Sequence, residues 1–458
     1  MSIQSTETIN IEKYSDRKSL YPDACRHMKS DIEALISATR EGTSMVFFYI
    51  KVSTSAPINT LLPISHVKDF TKHVLGVLES ISLTQTGLIF DCEADGFLLV
   101  LPAHDRAVAS KIPIQIASKF SEKLTIHNRA LTVKTSIGAS IFPKDSSSIE
   151  ELTRLAMLSA HSATESHRSF KAYSPALDET SKRHSLLLSG ISTILTQPLS
   201  SEGQNIQMHF QPKYSVRTGS IVGFEALCRW NHDALGNIAP GEFIPLAEKT
   251  KLITQLTRVI LRKTMLEISE NSKLNIKLPV AVNISALDLM DPTLLLDIRA
   301  LLYEFDIPSN LLEIEVTETS IMKNAKVAAH QIENFRKLGL SVGIDDFGTG
   351  NSSLAYLSSF PVSHIKLDHL LTSNINHKRT EIIIEAIINL AAKLGIGVIA
   401  EGVENVDTLH KLQNLSCPLV QGYLLGKPKP RSLALSSMLE DFTRVAGYLN
   451  QSKLLRSQ

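Results

Sequence analysis

The chain has 458 residues, 43% of them hydrophobic, and its 47 basic and 46 acidic residues leave a formal net charge of +1. That balance excludes a partner held by bulk electrostatics, a nucleic-acid duplex above all, because counterion release needs a basic surface; the length allows two or three domains, each with its own core. Four cysteines, at 25, 92, 228 and 417, form no Cys-x-x-Cys pair, which suits a reducing compartment without structural zinc, so a cytoplasmic location is expected.

Residues 1–29 read as an N-terminal extension, and Met1 to Lys18 is too polar and acidic for a signal or transit peptide. Residues 30–175 read as a smaller α/β domain. It opens on a helix from Met28 to Glu41, has strands at Ser44 to Val52 and Gly87 to Leu101, and carries a later pair around Val133 to Phe142. A helical connector over 176–204, with its helix at Leu177 to Leu195 and a break at Pro198 to Gly203, leads into the region 205–435.

Eight short apolar runs rich in β-branched residues follow: Ile206 to Lys213, Ile221 to Trp230, Pro279 to Ser285, Leu311 to Glu318, Leu340 to Phe347, His364 to Leu371, Gly395 to Val403 and Leu419 to Gly426. Helix-patterned stretches separate most of them, among them Gly241 to Ser269 and Ala286 to Phe305. This alternation outlines a (β/α)8 TIM-like barrel. Only Ser215 to Ser220 joins the first two runs, too short for a crossover helix, so one strand is expected to be antiparallel. The most apolar stretch, Ile382 to Ala400, is interrupted by Glu385, Asn389 and Lys393, and no membrane insertion is expected. The tail, 436–458, reads as helical and then polar.

In a barrel of this kind the site lies at the carboxyl ends of the strands, and here those ends carry oxygen ligands. They are Glu225, Asn283, Glu315 with Glu318, Asp345 with Asp346, Lys366 with Asp368, Glu401 with Glu404, and Gln421. Adjacent carboxylates such as Asp345 and Asp346 repel, and a divalent cation relieves that repulsion. Carboxylates plus an amide, without His or Cys, are hard ligands for Mg2+ or Mn2+. With one lysine they suit phosphodiester hydrolysis at a two-metal site, Asp345 and Asp346 bridging and Lys366 stabilising charge on phosphorus or orienting the nucleophile.

Singly, these residues have plainer readings. Glu225 beside a turn is a common surface acid, Asp346 could cap a helix over Ser352 to Leu357, and Glu401 with Glu404 could be one solvated helix face. The ordered set outweighs them. The region from about 181 to 435 resembles the EAL domain, the cyclic di-GMP phosphodiesterase, through Phe210-Gln211-Pro212, Glu225-Ala226-Leu227-Cys228-Arg229-Trp230, Asn283-Ile284-Ser285, Glu315-Val316-Thr317-Glu318, Asp345-Asp346-Phe347-Gly348, Lys366-Leu367-Asp368, Ala400-Glu401-Gly402-Val403-Glu404 and Gln421-Gly422-Tyr423. The resemblance implies that Glu225, Asn283, Glu315 and Asp345 hold one metal and that Asp345, Asp346 and Glu401 serve the second or its water. It also implies that Glu318 braces the loop after Asp346, that Lys366 and Glu404 support the water, and that Gln211, Leu227, Arg229 and Gln421 surround the substrate. Glu401 serves such enzymes either as general base or as ligand. This sequence departs from the family pattern at Lys251 and Ser416, where glycine is usual, at Pro418, where aspartate is common, and at Asn351, where an aromatic residue is usual.

More faintly, residues 30–175 resemble a GGDEF domain, a ferredoxin/cyclase-like fold, through Ser136-Ile137-Gly138 and Phe97-Leu98-Leu99-Val100-Leu101-Pro102. The signature has become Glu93-Ala94-Asp95-Gly96-Phe97, the first strand supplies no aspartate, and Met157 and Thr164 stand where the family has an acid and a lysine. A domain that makes no cyclic di-GMP is expected. The whole then reads as a metal-dependent phosphodiesterase opening cyclic di-GMP to linear pGpG, a homodimer whose silent first domain is regulatory or meets a protein partner. A receptor that binds cyclic di-GMP without turnover, or a scaffold that binds no nucleotide, are the other readings.

Overall fold

The computed structural model describes residues 23–455 except 41, 55–57, 85, 93–95, 104–105, 122–123, 128, 198–204, 349–356 and 358–359. The signature at Glu93 to Asp95, the break at Pro198 to Gly203, Asn351 and all but the last residue of the helix that Asp346 could cap, Ser352 to Leu357, therefore lie outside the described residues. The chain divides into two compact units between His184 and Ser185, inside the helix Pro175–Thr196.

In the first unit the run Met45-Val46-Phe47-Phe48-Tyr49-Ile50 is apolar on both faces, the pattern of a strand buried on both sides. It forms β1 (Ser44–Thr54), the middle of a five-stranded sheet ordered β2-β3-β1-β6-β7, with β2 at Leu88–Asp91, β3 at Gly96–Ala103, β6 at Val133–Phe142 and β7 at Phe170–Ala172. A separate hairpin comprises β4 (Leu124–Ile126) and β5 (Arg129–Leu131). Two cores result: Val46, Phe48 and Ile50 face one, Met45, Phe47 and Tyr49 the other. The single strand expected over Gly87 to Leu101 is instead the antiparallel pair β2 and β3. The pair expected around Val133 to Phe142 is one long strand, because ten of its residues register continuously with β1. Helix Ile149–Glu165 packs so closely on β6 that a Cβ on Gly138 would lie 2.1 Å from the Ala156 carbonyl oxygen, so this position needs glycine.

The second unit is an eight-stranded closed barrel. Its strands are β8 (Ile206–Ser215), β9 (Ile221–His232), β11 (Val280–Ile284), β12 (Leu312–Thr317), β13 (Ser341–Phe347), β14 (His364–Leu367), β15 (Gly397–Ala400) and β16 (Leu419–Val420), while β10 (Gly236–Ile238) and β17 (Lys429–Pro430) lie on its rim. Every predicted run overlaps one of the eight, β8 and β9 each running two residues past theirs. Pairing is parallel from β9 through β16, and β8 closes the circle antiparallel to both ends. Three strands, β14, β15 and β16, end three or more residues before their apolar runs. Asp368 stops β14 by capping helix His369–Ser373, accepting from Leu370 N at 2.7 Å. The residues after Ala400 and Val420 leave the sheet, where Gly422 abuts the Val403 backbone.

The helix expected over Gly241 to Ser269 is two, Pro240–Lys249 and Ile253–Lys273, separated at Lys251, which has φ +61°. Ser416, ending the turn after helix Val406–Asn414, has φ +58°. Both departures from the usual glycine thus fall on left-handed backbone, where a Cβ is strained. Lys251→Gly and Ser416→Gly are each expected to stabilise the barrel by about 0.5–1 kcal/mol, additively. Thermal unfolding of the single and double variants checks this, and a lowered midpoint would show that these side chains contribute more than their backbone strain costs. No described helix is long and apolar enough to cross a membrane.

Candidate metal centre

Successive residues of a strand face opposite sides, so each barrel strand offers alternate side chains to the interior. β9 offers Glu225, β12 offers Glu313 and Glu315, β14 offers His364 and Lys366, and β8 offers Gln211 and Lys213. Lys366 is the hub. Its ammonium, 1% exposed, lies 2.7 Å from Glu401 Oε1, 2.8 Å from Glu315 Oε2, 3.2 Å from Asp345 Oδ1 and 3.3 Å from Glu225 Oε2. Four carboxylates, carried by β9, β12, β13 and the residue after β15, therefore converge on one point.

Amides set the orientation of Glu225. Asn283 Nδ2 donates to Glu225 Oε1 at 2.7 Å, and Gln421 Nε2 donates to Glu225 Oε2 at 2.7 Å and to Gln211 Oε1 at 3.1 Å. Gln211 Nε2 in turn donates to the Gly426 carbonyl at 3.1 Å. The Gln421 Oε1 atom is buried and has no hydrogen-bond partner.

The adjacent aspartates solve their alternation problem through the backbone. β13 is bulged between Ile344 and Phe347 against β14, and Asp346 has φ +55°, so the strict up-and-down order is broken between them. Asp345 Oδ1 accepts from the Asp346 amide at 2.9 Å, and Asp345 joins the Lys366 cluster. Asp346 stands beside it: burial, with the charge of Asp368, raises its proton affinity, opposed by Lys366. Glu318 Oε2 accepts from Gly348 N at 3.3 Å, just past the aspartates. Helix Glu318–Lys323 starts at Glu318, whose preceding Thr317 caps it by accepting from Ser320 N.

Three predicted residues stay apart from this cluster. Glu404 is exposed, four residues beyond the end of β15 in a segment that is not helical, so it does not form a helix face with Glu401. Arg229 Nη1 donates to the Cys228 carbonyl at 2.8 Å, and Leu227, partly exposed, sits two residues beyond Glu225 on the same face of β9. The structure also brings in three residues that motif reading passed over. Lys213, Glu313 and His364 lie two residues from Gln211, Glu315 and Lys366 respectively. Period-two alternation along those strands was the available signal.

The electrostatics of the cluster are those of an acid excess. Among the described residues, Glu225, Glu313, Glu315, Asp345 and Glu401 face two ammonium groups, Lys213 and Lys366. Although burial opposes it, the flanking lysines hold Glu315 well below the usual carboxylate range. The same burial works against both lysines, yet the surrounding carboxylates raise their affinity for the proton. Asp345 and Glu401 show where neutralisation falls short: burial first, then neighbouring acids, push them up to about 7 and about 8. The ligand atoms of Glu225, Glu315 and Asp345 lie within 4.8 Å of one another. Buried hard oxygens, close together and short of positive charge, fit a divalent cation of the magnesium or manganese type.

Comparison with known proteins agrees with this geometry. The family model of the EAL domain matches residues 195–428. A cyclic di-GMP phosphodiesterase of Pseudomonas aeruginosa, PA2567, is 33% identical over 352 residues, covering 76% of this chain and 58% of its own. The bifunctional diguanylate cyclase/cyclic di-GMP phosphodiesterase MucR of the same organism is 31% identical over 351 residues, covering 75% of this chain and 50% of its own. The chain thus spans only about half to three fifths of the length of these relatives. The solved structure of the MucR phosphodiesterase in complex with c-di-GMP is 34% identical, with a TM-score of 0.51, and matches 54% of this chain and 99% of that one.

Proposed function

The chain belongs to the EAL domain family, and from that premise we propose that it hydrolyses cyclic di-GMP to linear pGpG with Mg2+ or Mn2+, in the cytoplasm. The observation carrying this reading is the convergence of Glu225, Glu315, Asp345 and Glu401 within 3.3 Å of one buried point. A receptor that only binds nucleotide has no need for a complete, charge-deficient ligand set.

In this reading Glu225, Asn283, Glu315 and Asp345 hold one cation, and Asp345, Asp346 and Glu401 the second. Cations bound there lower the pKa of water and neutralise charge building on the phosphodiester. The residues of the chain do the rest. Asn283 and Gln421, the latter tied to Gln211, hold Glu225 in one orientation, and Glu318 fixes the backbone that follows Asp346. Lys366, its ammonium 2.7 Å from Glu401, stabilises charge on a phosphate oxygen or orients the attacking water. Leu227 and Arg229, beyond Glu225 on β9, and Gln211 and Gln421 line the approach of the substrate.

Incubation with cyclic di-GMP and Mg2+ or Mn2+ is expected to yield pGpG, read by chromatography. Saturable binding in Ca2+ with no linear product in either metal would replace the enzyme by the receptor.

We assign the first unit a regulatory, GGDEF-like role without cyclisation, in a homodimer or toward a protein partner. β1 brings no aspartate to it, and the alignments with the two Pseudomonas relatives are longer than the barrel unit alone.

A further inference from the structure

The floor of the barrel beneath the metal centre is charged, where side-chain layers of such barrels are ordinarily apolar. β8 runs against the other seven strands, so its register with β9 sets Gln211 opposite Glu225 and carries Lys213 one step lower, opposite Gly223. The Lys213 ammonium, 3% exposed, lies 2.8 Å from Glu315 Oε1 and 2.9 Å from Glu313 Oε2. Glu315 has no exposed side-chain surface, and its two oxygens are divided: Oε1 goes to Lys213, and Oε2, 2.8 Å from Lys366, faces the centre. His364 closes the side, its Nε2 3.7 Å from Oε1 and without a hydrogen-bond partner. A Cβ at position 343 would come within 2.2 Å of that nitrogen, so Gly343 makes the room for the ring.

We infer that Lys213 is a positioning residue of the metal centre: it ties Oε1 of Glu315 to the barrel floor and so aims Oε2 at the ligand atoms of Glu225 and Asp345. This rests on the reading of Glu315 as a ligand. A buried carboxylate held at one oxygen cannot rotate about its Cγ–Cδ bond without breaking that contact, so the other oxygen arrives pre-aimed. Partners of this kind behind a ligand change metal affinity by about 10–100-fold. Glu313 does not reach the upper oxygens; it receives the lysine's second hydrogen bond and offsets part of its charge.

The test is Mn2+ binding to the full-length protein without nucleotide, free Mn2+ being read by electron paramagnetic resonance. Lys213→Met is expected to weaken binding about 10–100-fold, whereas Glu313→Gln, which leaves Lys213 on Glu315, stays within about threefold of wild type. Lys213→Met/Glu313→Gln removes one charge of each sign and carries the same test should the single lysine variant not fold; it too is expected to bind about 10–100-fold more weakly. At saturating Mn2+ the KM for cyclic di-GMP of the folded lysine variant is expected to stay within about twofold of wild type, because Lys213 aims a ligand and not the substrate. Wild-type affinity in either lysine variant overturns the inference, as does a Glu313→Gln protein as weak as Lys213→Met. A wild-type protein that binds no Mn2+ overturns instead the assignment of Glu315 as a ligand, and the inference with it.

Discussion

Glu225→Ala is expected to lower kcat/KM for cyclic di-GMP by at least about 10²–10³-fold, as loss of a preorganised electrostatic group does. The barrel should remain folded. Glu225 is the junction of the amide frame and the acid cluster, accepting from Asn283 and Gln421 and lying 3.3 Å from Lys366. Its charge also raises the proton affinity of both Asp345 and Glu401. Without cation, removing it relieves repulsion at those two groups while stranding two amide donors, and the two effects oppose. The unfolding midpoint in chelator should therefore move little. Activity and stability separate here because the acid excess serves cation binding and not the fold. Full activity in Glu225→Ala would remove the metal assignment, and a collapsed midpoint in chelator would make Glu225 a structural group first.

The barrel was legible because its period-two and 3.6-residue patterns are long and repeated, and a short connection at Ser215 to Ser220 left only an antiparallel solution for β8. The acids were legible because strand ends are where such a barrel puts chemistry. What escaped notice has physical reasons as well. Lys213, Glu313 and His364 sit inside strands among apolar neighbours, where a charged residue reads as a strand edge unless its buried partner is known, and that partner lies 100 residues away for Lys213 and Glu313. The breaks at Lys251 and Asp346 depend on left-handed backbone at residues other than glycine, which composition does not announce. In the first unit, the predicted strand runs through both β2 and β3 because both are apolar and only the four residues 92–95 divide them.

Lys366→Met is expected to do two separable things. Turnover should fall by about 10²–10³-fold, since the ammonium 2.7 Å from Glu401 that orients the reacting groups is gone. In chelator the variant should also lose stability. Glu225, Glu315, Asp345 and Glu401 lose a shared counter-charge in a buried setting, and breaking such a group by removing one partner costs about 3–5 kcal/mol. The lower end applies, because Asp345 and Glu401, already pushed up to about 7 and about 8, take up protons near neutral pH and relieve part of the strain. Mg2+ or Mn2+ then has more to offer the variant than the wild type: cation binding at about 100-fold over its dissociation constant returns about 2.7 kcal/mol, and it enters a cluster whose internal cation is absent. The metal-induced rise in unfolding midpoint should therefore be larger for Lys366→Met than for wild type, while its turnover stays low at any metal concentration. Equal shifts in the two proteins would mean that lysine and metal do not draw on the same four carboxylates, and the site would have to be rebuilt around Asp346 and Glu318.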